Sequence, residues 1–110
     1  MMKRVFICSS RSLFSEGLRN LLVDQPDLTV VGWQSDAEEA LRSIQKLQPD
    51  TLLLVHDGSS SEPLTSAPYY VRAGVKARII ELSLKTNSVH VYQGEERTIK
   101  EVADLVEALE

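Results

Sequence analysis

LTVVGWQSDAEEALRSIQKLQPDTLLLV, residues 28–55, decides the fold, because it holds a strand, a helix and a second strand with very short joints between them. Leu28 to Trp33 is rich in β-branched and aromatic residues, and Thr51 to Val55 is an apolar run of the kind buried on both faces of a parallel sheet. Between them Ala40, Leu41, Ile44 and Leu47 recur at helical spacing, and Ser35-Asp36-Ala37-Glu38 has capping-box spacing in front of that stripe. Pro49 stops the helix. Two strands joined by a crossover helix run parallel, with the helix packed on one face of their sheet.

The chain extends this unit in both directions. Upstream, Val5-Phe6-Ile7-Cys8 is another buried strand, and Leu13, Phe14, Gly17, Leu18, Leu21 and Leu22 form a helical stripe with Ser12 as N-cap and Pro26 beyond its end. Downstream, residues 57–63 read as a polar loop and Leu64 to Ala73 as a short third helix stopped by Gly74. Ala77 to Leu84 is a fourth strand. Thr98-Ile99-Lys100-Glu101 is a capping box opening a last helix, with Ile99, Val102, Leu105, Val106 and Leu109 on one face.

One segment breaks the alternation. Only Lys85, Thr86, Asn87 and Ser88 separate the fourth strand from Val89-His90-Val91-Tyr92, far fewer than the dozen or so residues a parallel crossover needs. Residues 79–92 are therefore expected to form an antiparallel hairpin. Glu81 and Ser83 then share one face of their strand and Ile80, Leu82 and Leu84 the other. Val89 and Val91 oppose Ser88, His90 and Tyr92 in the same way. Such half-polar strands suit a sheet face that has lost its helix.

Composition bounds the function. The chain has 110 residues, 43% hydrophobic and 25% charged, which is one ordinary globular domain spanning 1–110. Its formal net charge of −4 and the lack of a Lys/Arg run argue against direct nucleic-acid binding. The single cysteine excludes an internal disulfide, no apolar run is long enough for a membrane span, and a cytoplasmic location is expected.

From Ser9 to about Val55 the chain resembles the receiver domain of bacterial response regulators (CheY-like), and within these the receivers that precede a helix-turn-helix output domain, of LuxR/NarL type. The string Ser12-Leu13-Phe14-Ser15-Glu16-Gly17-Leu18-Arg19-Asn20-Leu21-Leu22, then Pro26-Asp27-Leu28-Thr29-Val30-Val31-Gly32, carries most of the likeness. Asp36-Ala37-Glu38-Glu39-Ala40-Leu41, Leu47-Gln48-Pro49-Asp50 and, more weakly, Ala77 to Ser83 continue it. The resemblance implies a flavodoxin-like α/β three-layer sandwich with a five-stranded sheet in the order 2-1-3-4-5. Here the fifth strand should be antiparallel and the fourth helix missing.

Receivers take a phosphoryl group on an aspartate at the end of the third strand, helped by a divalent cation on two acidic residues after the first. A hard cation of that kind wants carboxylate oxygens. The matching positions here are Ser9 and Ser10 for the acidic pair and Val55 for the phosphoacceptor, while Ser83 matches the family's hydroxyl residue. The usual lysine has no clear counterpart in Val91-Tyr92-Gln93-Gly94. The resemblance therefore implies a degenerate pseudo-receiver. No catalytic residue, metal or cofactor is expected, and the domain should regulate without phosphorylation. Asp57 lies two residues past Val55, but Asp57-Gly58 followed by serines is a turn signal in its own right.

Other local features have weaker claims. Cys8-Ser9-Ser10-Arg11-Ser12 joins a strand to a helix start at the carboxyl edge of a parallel sheet, where anions and small ligands bind, so it is a candidate anion or ligand turn. Against that stands the tendency of a free cysteine to be a buried packing residue. His56 and His90 have no metal-ligand spacing around them. Trp33 is expected to be half-buried, and of Tyr69 and Tyr70 one should be packed and one exposed. The expected partner is another protein or a second copy of the chain, giving a homodimer through an uncovered edge: Glu81, Val89, His90, Val91 and Tyr92, with the last helix beside it. Two other readings stand beside this one: a small-ligand sensor or phosphotransfer protein using the Cys8 turn, and the N-terminal regulatory domain of a transcription factor.

Overall fold

The computed structural model describes residues 3–10, 13–56, 64–83, 85–86, 88–91, 96–98 and 109. Their elements run β1 (Lys3–Ser9), α1 (Leu13–Val23), β2 (Leu28–Gln34), α2 (Ala37–Leu47), β3 (Thr51–His56), α3 (Ala67–Arg72), β4 (Arg78–Ser83), β5 (Ser88–Val91) and β6 (Glu96–Thr98). The sheet order is β2-β1-β3-β4-β5-β6, so the expected 2-1-3-4-5 arrangement is present and one short strand extends it. Strands β1 to β4 pair in parallel, and β5 turns back antiparallel on β4, as the four-residue connection demands.

The sixth strand corrects one expectation. Over Ser88 to His90, β5 is paired on both sides, with Thr98, Arg97 and Glu96 as its outer partners, so it is not the edge of the sheet there. Val89 is fully buried and takes no part in an exposed contact. Thr98, expected at the head of the last helix, ends this strand instead. Of that helix, Leu109 alone is described, buried in the core; Ile99, Val102, Leu105 and Val106 lie outside the described residues.

Two apolar layers sandwich the sheet. Val5, Ile7, Leu53, Val55, Ile80, Leu82 and Val89 face the layer completed by Leu22 and Leu109. Phe6, Cys8, Leu52, Leu54 and Ile79 face the other, completed by Ala40 and Ile44 of α2 and by Ala67 and Tyr70 of α3. The stripe on α1 is narrower than its spacing suggests. Leu22 is buried and Leu18 partly so, but Leu21 is 49% exposed and Gly17 is exposed as well.

Helix α2 starts one residue later than its capping box suggested. Asp36, with extended backbone, is the N-cap, and its carboxylate accepts from the Glu39 amide at 3.0 Å. At the far end Gln48 takes a left-handed conformation with φ 50° and returns its amide to the Ile44 carbonyl. The Arg4 guanidinium closes that end, donating to the Gln48 and Leu47 carbonyls at 2.9 and 2.8 Å. Asp50 ties together the amino ends of three strands: its carboxylate accepts from the Arg4 amide, its amide donates to the Arg4 carbonyl, and its carbonyl accepts from the Arg78 amide.

A bulge in β2 sets the height of Trp33. Val5 is level with Val30 but Phe6 with Gly32, so the register with β1 slips at Val31. Gly32 is required at that point, because a Cβ there would stand 2.6 Å from Cε2 of the buried Phe6 ring.

Candidate functional site

The four positions of interest converge on the carboxyl edge of the sheet. Ser9 ends β1 and is level with Val55 on β3, while His56, the next residue, is level with Ser83 on β4. Ser9 and Val55 are buried and Ser83 is half-exposed. No carboxylate stands at Ser9, Ser10 or Val55, so a hard divalent cation finds no charged oxygen on these positions.

Ser9 is already engaged. The Trp33 indole N–H, at the end of β2, donates to its hydroxyl, and the Arg19 guanidinium of α1 lies 5.0 Å from the centre of the indole ring. Three elements are thus joined over the outer end of β1. Nothing in the spacing of Ser9, Arg19 and Trp33 announces this triple contact; the bulge before Gly32 creates it.

Cys8, next in the candidate anion turn, points to the opposite layer. It is fully buried, and burial pushes its thiol up to about 12, against a smaller opposing effect of the hydrogen bond with the Tyr70 hydroxyl. The Tyr70 hydroxyl is itself driven well above its ordinary value, first by burial and then by Cys8 beside it, and it donates to the Leu64 carbonyl. A thiol held neutral in this way is a packing group and not a nucleophile. Tyr70 is the packed member of its pair, with Tyr69 half-exposed and edge-on to it. Ser10 is half-buried, and Arg11 and Ser12, the last two residues of the turn, lie outside the described residues, as do Asp57 and Tyr92.

The structure joins two residues that sequence reading kept apart. His56 Nε2 lies 3.3 Å from Glu81 Oε2, and Glu81 is directly opposite His90 across the β4–β5 pair. With Ser83 and Ser88 these side chains line a shallow open groove of about 250 Å³ on the layer that α2 and α3 cover elsewhere. The signal was present in the sequence. A hairpin closing over residues 84–87 sets Glu81 against His90, and the parallel pairing of β3 and β4 brings His56 alongside. A larger open groove, about 520 Å³, lies at the other end of the sheet between the ends of α2 and α3, lined by Gln48, Asp50, Gly74 and Lys76 among others. None of the expected site residues line it.

No protein-family profile matches the chain. Among solved structures, the receiver domain of CheB from Thermotoga maritima superposes with a TM-score of 0.61 at 24% identity, covering 76% of this chain and 61% of that one. The receiver domain of the putative response regulator NarL from Mycobacterium tuberculosis gives 0.61 at 26%, covering 74% of this chain and 66% of that one. Among curated proteins, the transcriptional regulatory protein YvfU of Bacillus subtilis is 30% identical over 82 residues, 74% of this chain. The transcriptional regulatory protein BtsR of Salmonella typhi is 42% identical over 53 residues, 48% of this chain. The chain spans 41% and 22% of the lengths of these two relatives. Its fold is that of a response-regulator receiver domain, and its sequence likeness is to transcriptional regulators. No described helix is long and apolar enough to cross a membrane.

Proposed function

We propose that this chain, receiver-like in fold, is a regulatory module of signal transduction that acts through protein contacts and takes no phosphoryl group at its sheet edge. One observation carries the reading: Val55, a buried hydrocarbon level with Ser9, occupies the end of β3 where the resemblance puts the phosphoacceptor. Phosphoryl transfer needs a nucleophile and neutralisation of phosphoryl charge by a cation, and these positions supply neither. Two-dimensional NMR of the labelled chain titrated with beryllofluoride and Mg²⁺ tests this, together with intact mass after treatment with acetyl phosphate. Unchanged spectra and unchanged mass are expected. A phosphoryl adduct that disappears in D57N would overturn the reading by making Asp57 a displaced acceptor.

The contact that replaces phosphorylation is assigned to the β4–β6 side, as a homodimer or with another protein. There the hairpin turns Glu81 and His90 to one face, and β6 offers an open backbone edge among the described residues. Concentration-dependent dimerisation in sedimentation equilibrium is the expected behaviour for self-association. A strictly monomeric chain at millimolar concentration would rule out the homodimer.

A second reading has its own observation. The matched curated proteins are transcriptional regulators of which this chain spans less than half. In that reading the module controls a DNA-binding partner or portion and does not touch DNA itself, in keeping with its net charge of −4. Deleting the gene should then change a small, coherent set of transcripts; an unaltered transcript profile would count against it.

A further inference from the structure

We infer that His56, Glu81 and His90 form a binding site for a borderline-soft divalent cation of the Zn²⁺ class. The inference does not rest on the phosphorylation reading above. It starts from the distribution of ligand types. The soft or borderline donors of the chain are two histidines, one cysteine and the two methionines at its start, and of these only the histidines are imidazoles suited to zinc. The cysteine is buried with its thiol held neutral, so it is withdrawn from metal binding. His56 is hydrogen-bonded to the Glu81 carboxylate, and His90, from a distant part of the sequence, is level with Glu81 across the β4–β5 pair.

The geometry suits a small tetrahedral ion. Zinc bonds of about 2.0–2.2 Å to nitrogen and oxygen put two ligand atoms of a tetrahedron roughly 3.3–3.5 Å apart. His56 Nε2 and Glu81 Oε2 stand 3.3 Å apart already. Their side chains are 37% and 25% exposed, sheltered yet reachable. His90 faces Glu81 directly across the antiparallel pair, where Cβ atoms are about 4.5–5.5 Å apart, within the span of an imidazole.

In the structure no three such side chains among the described residues are already gathered for a metal. Closing the set asks only that His90, which is exposed, turn about its side-chain bonds toward the His56–Glu81 pair. Ser83 and Ser88 line the remainder of the groove. A cation held there would link β3, β4 and β5, tying the reversed hairpin to the centre of the sheet.

The test uses the untagged chain and zinc chloride, since a histidine tag would supply competing ligands. Titration is followed calorimetrically and by long-range nitrogen–proton NMR of the imidazole rings. One ion per chain is expected, with both histidines shifting together and saturating at one equivalent. H56Q and H90Q should each weaken binding at least tenfold and E81Q by a comparable factor, with amide spectra showing the fold intact. Shifts confined to one histidine, loss of affinity in only one of the two histidine variants, or no saturation below millimolar zinc would each overturn the site.

Discussion

One face of one sheet is treated in two ways. Across β1 and β3, on the layer covered by α2 and α3, the residues are Phe6, Cys8, Leu52 and Leu54, all buried. Along the β3–β5 corner of the same layer they are His56, Glu81, Ser83, Ser88 and His90, around an open groove. In both halves side chains alternate between the two layers, although the pairing is parallel from β1 to β4 and antiparallel between β4 and β5. What differs is the element above: a crossover helix follows β2 and another follows β3, whereas β4 turns straight back into β5. A four-residue connection has no length for a helix, and without a helix the face beneath must be polar to stand in water. Connection length therefore dictated the chemistry available at this corner.

The comparison would break if the two halves responded alike to substitution, and the sharpest probe is the covered half. Leu54→Ala removes a fully buried side chain below α2 and α3 and should cost about 2–5 kcal/mol in urea unfolding. Gly32→Ala drives a Cβ into the Phe6 ring and should cost about 1–3 kcal/mol. Phe6→Leu in the same chain should recover part of that loss, since it removes the ring atoms that clash.

The covered half also predicts a response to alkali. The Cys8 thiol is raised from 9.0 to about 12 in the fold, so the folded chain holds a proton that the unfolded chain releases. Its contribution is complete below pH 9 and falls away as pH rises towards 12. At 1.36 kcal/mol per unit, stability should drop by on the order of 1 kcal/mol between pH 8 and pH 10. Cys8→Ser should flatten that portion of the profile, and an unchanged slope would mean that the thiol is not the group responsible.

Smaller effects belong to the rim. Trp33→Phe keeps an aromatic ring, smaller than the indole, but gives up the donor to Ser9, and a loss of about 0.5–1.5 kcal/mol is expected. In the uncovered half, Ser88→Ala should stay within about 0.5 kcal/mol of the parent, because Ser88 lines an open groove among the described residues and its loss leaves no enclosed cavity there. A loss there comparable to that of Leu54→Ala would mean that the corner is a covered core after all.

Much of this was legible from residue patterns. The apolar runs at Val5 to Cys8 and Thr51 to Val55, with the stripe Ala40, Ile44 and Leu47 between, dictate buried parallel strands and a crossover helix whatever the details. The short joint after Ser83 dictated the hairpin. Less legible were features that depend on distant atoms meeting. A three-residue strand at Glu96 to Thr98 carries too little periodicity to be separated from a helix cap, so β5 was expected at the sheet edge. Leu21 lies on the helical stripe of α1 yet is exposed, because helical spacing says which side chains align, not how far the sheet extends beneath them. The Trp33–Ser9 contact depends on a one-residue slip at Val31 that no local pattern signals. At the candidate site, residue identity alone showed that Ser9, Ser10 and Val55 lack carboxylates, while the meeting of His56, Glu81 and His90 required the pairing register.

The stack of Arg19, Trp33 and Ser9 has a practical consequence. Trp33 is the sole tryptophan of the chain, and it sits where β1, β2 and α1 meet at the carboxyl edge of the sheet. Its emission colour follows the polarity around the ring, and its intensity follows contact with neighbouring groups. The molecule thus carries its own optical gauge at the site of interest: any ion, peptide or second subunit that disturbs this rim should alter the ultraviolet fluorescence of an unlabelled sample.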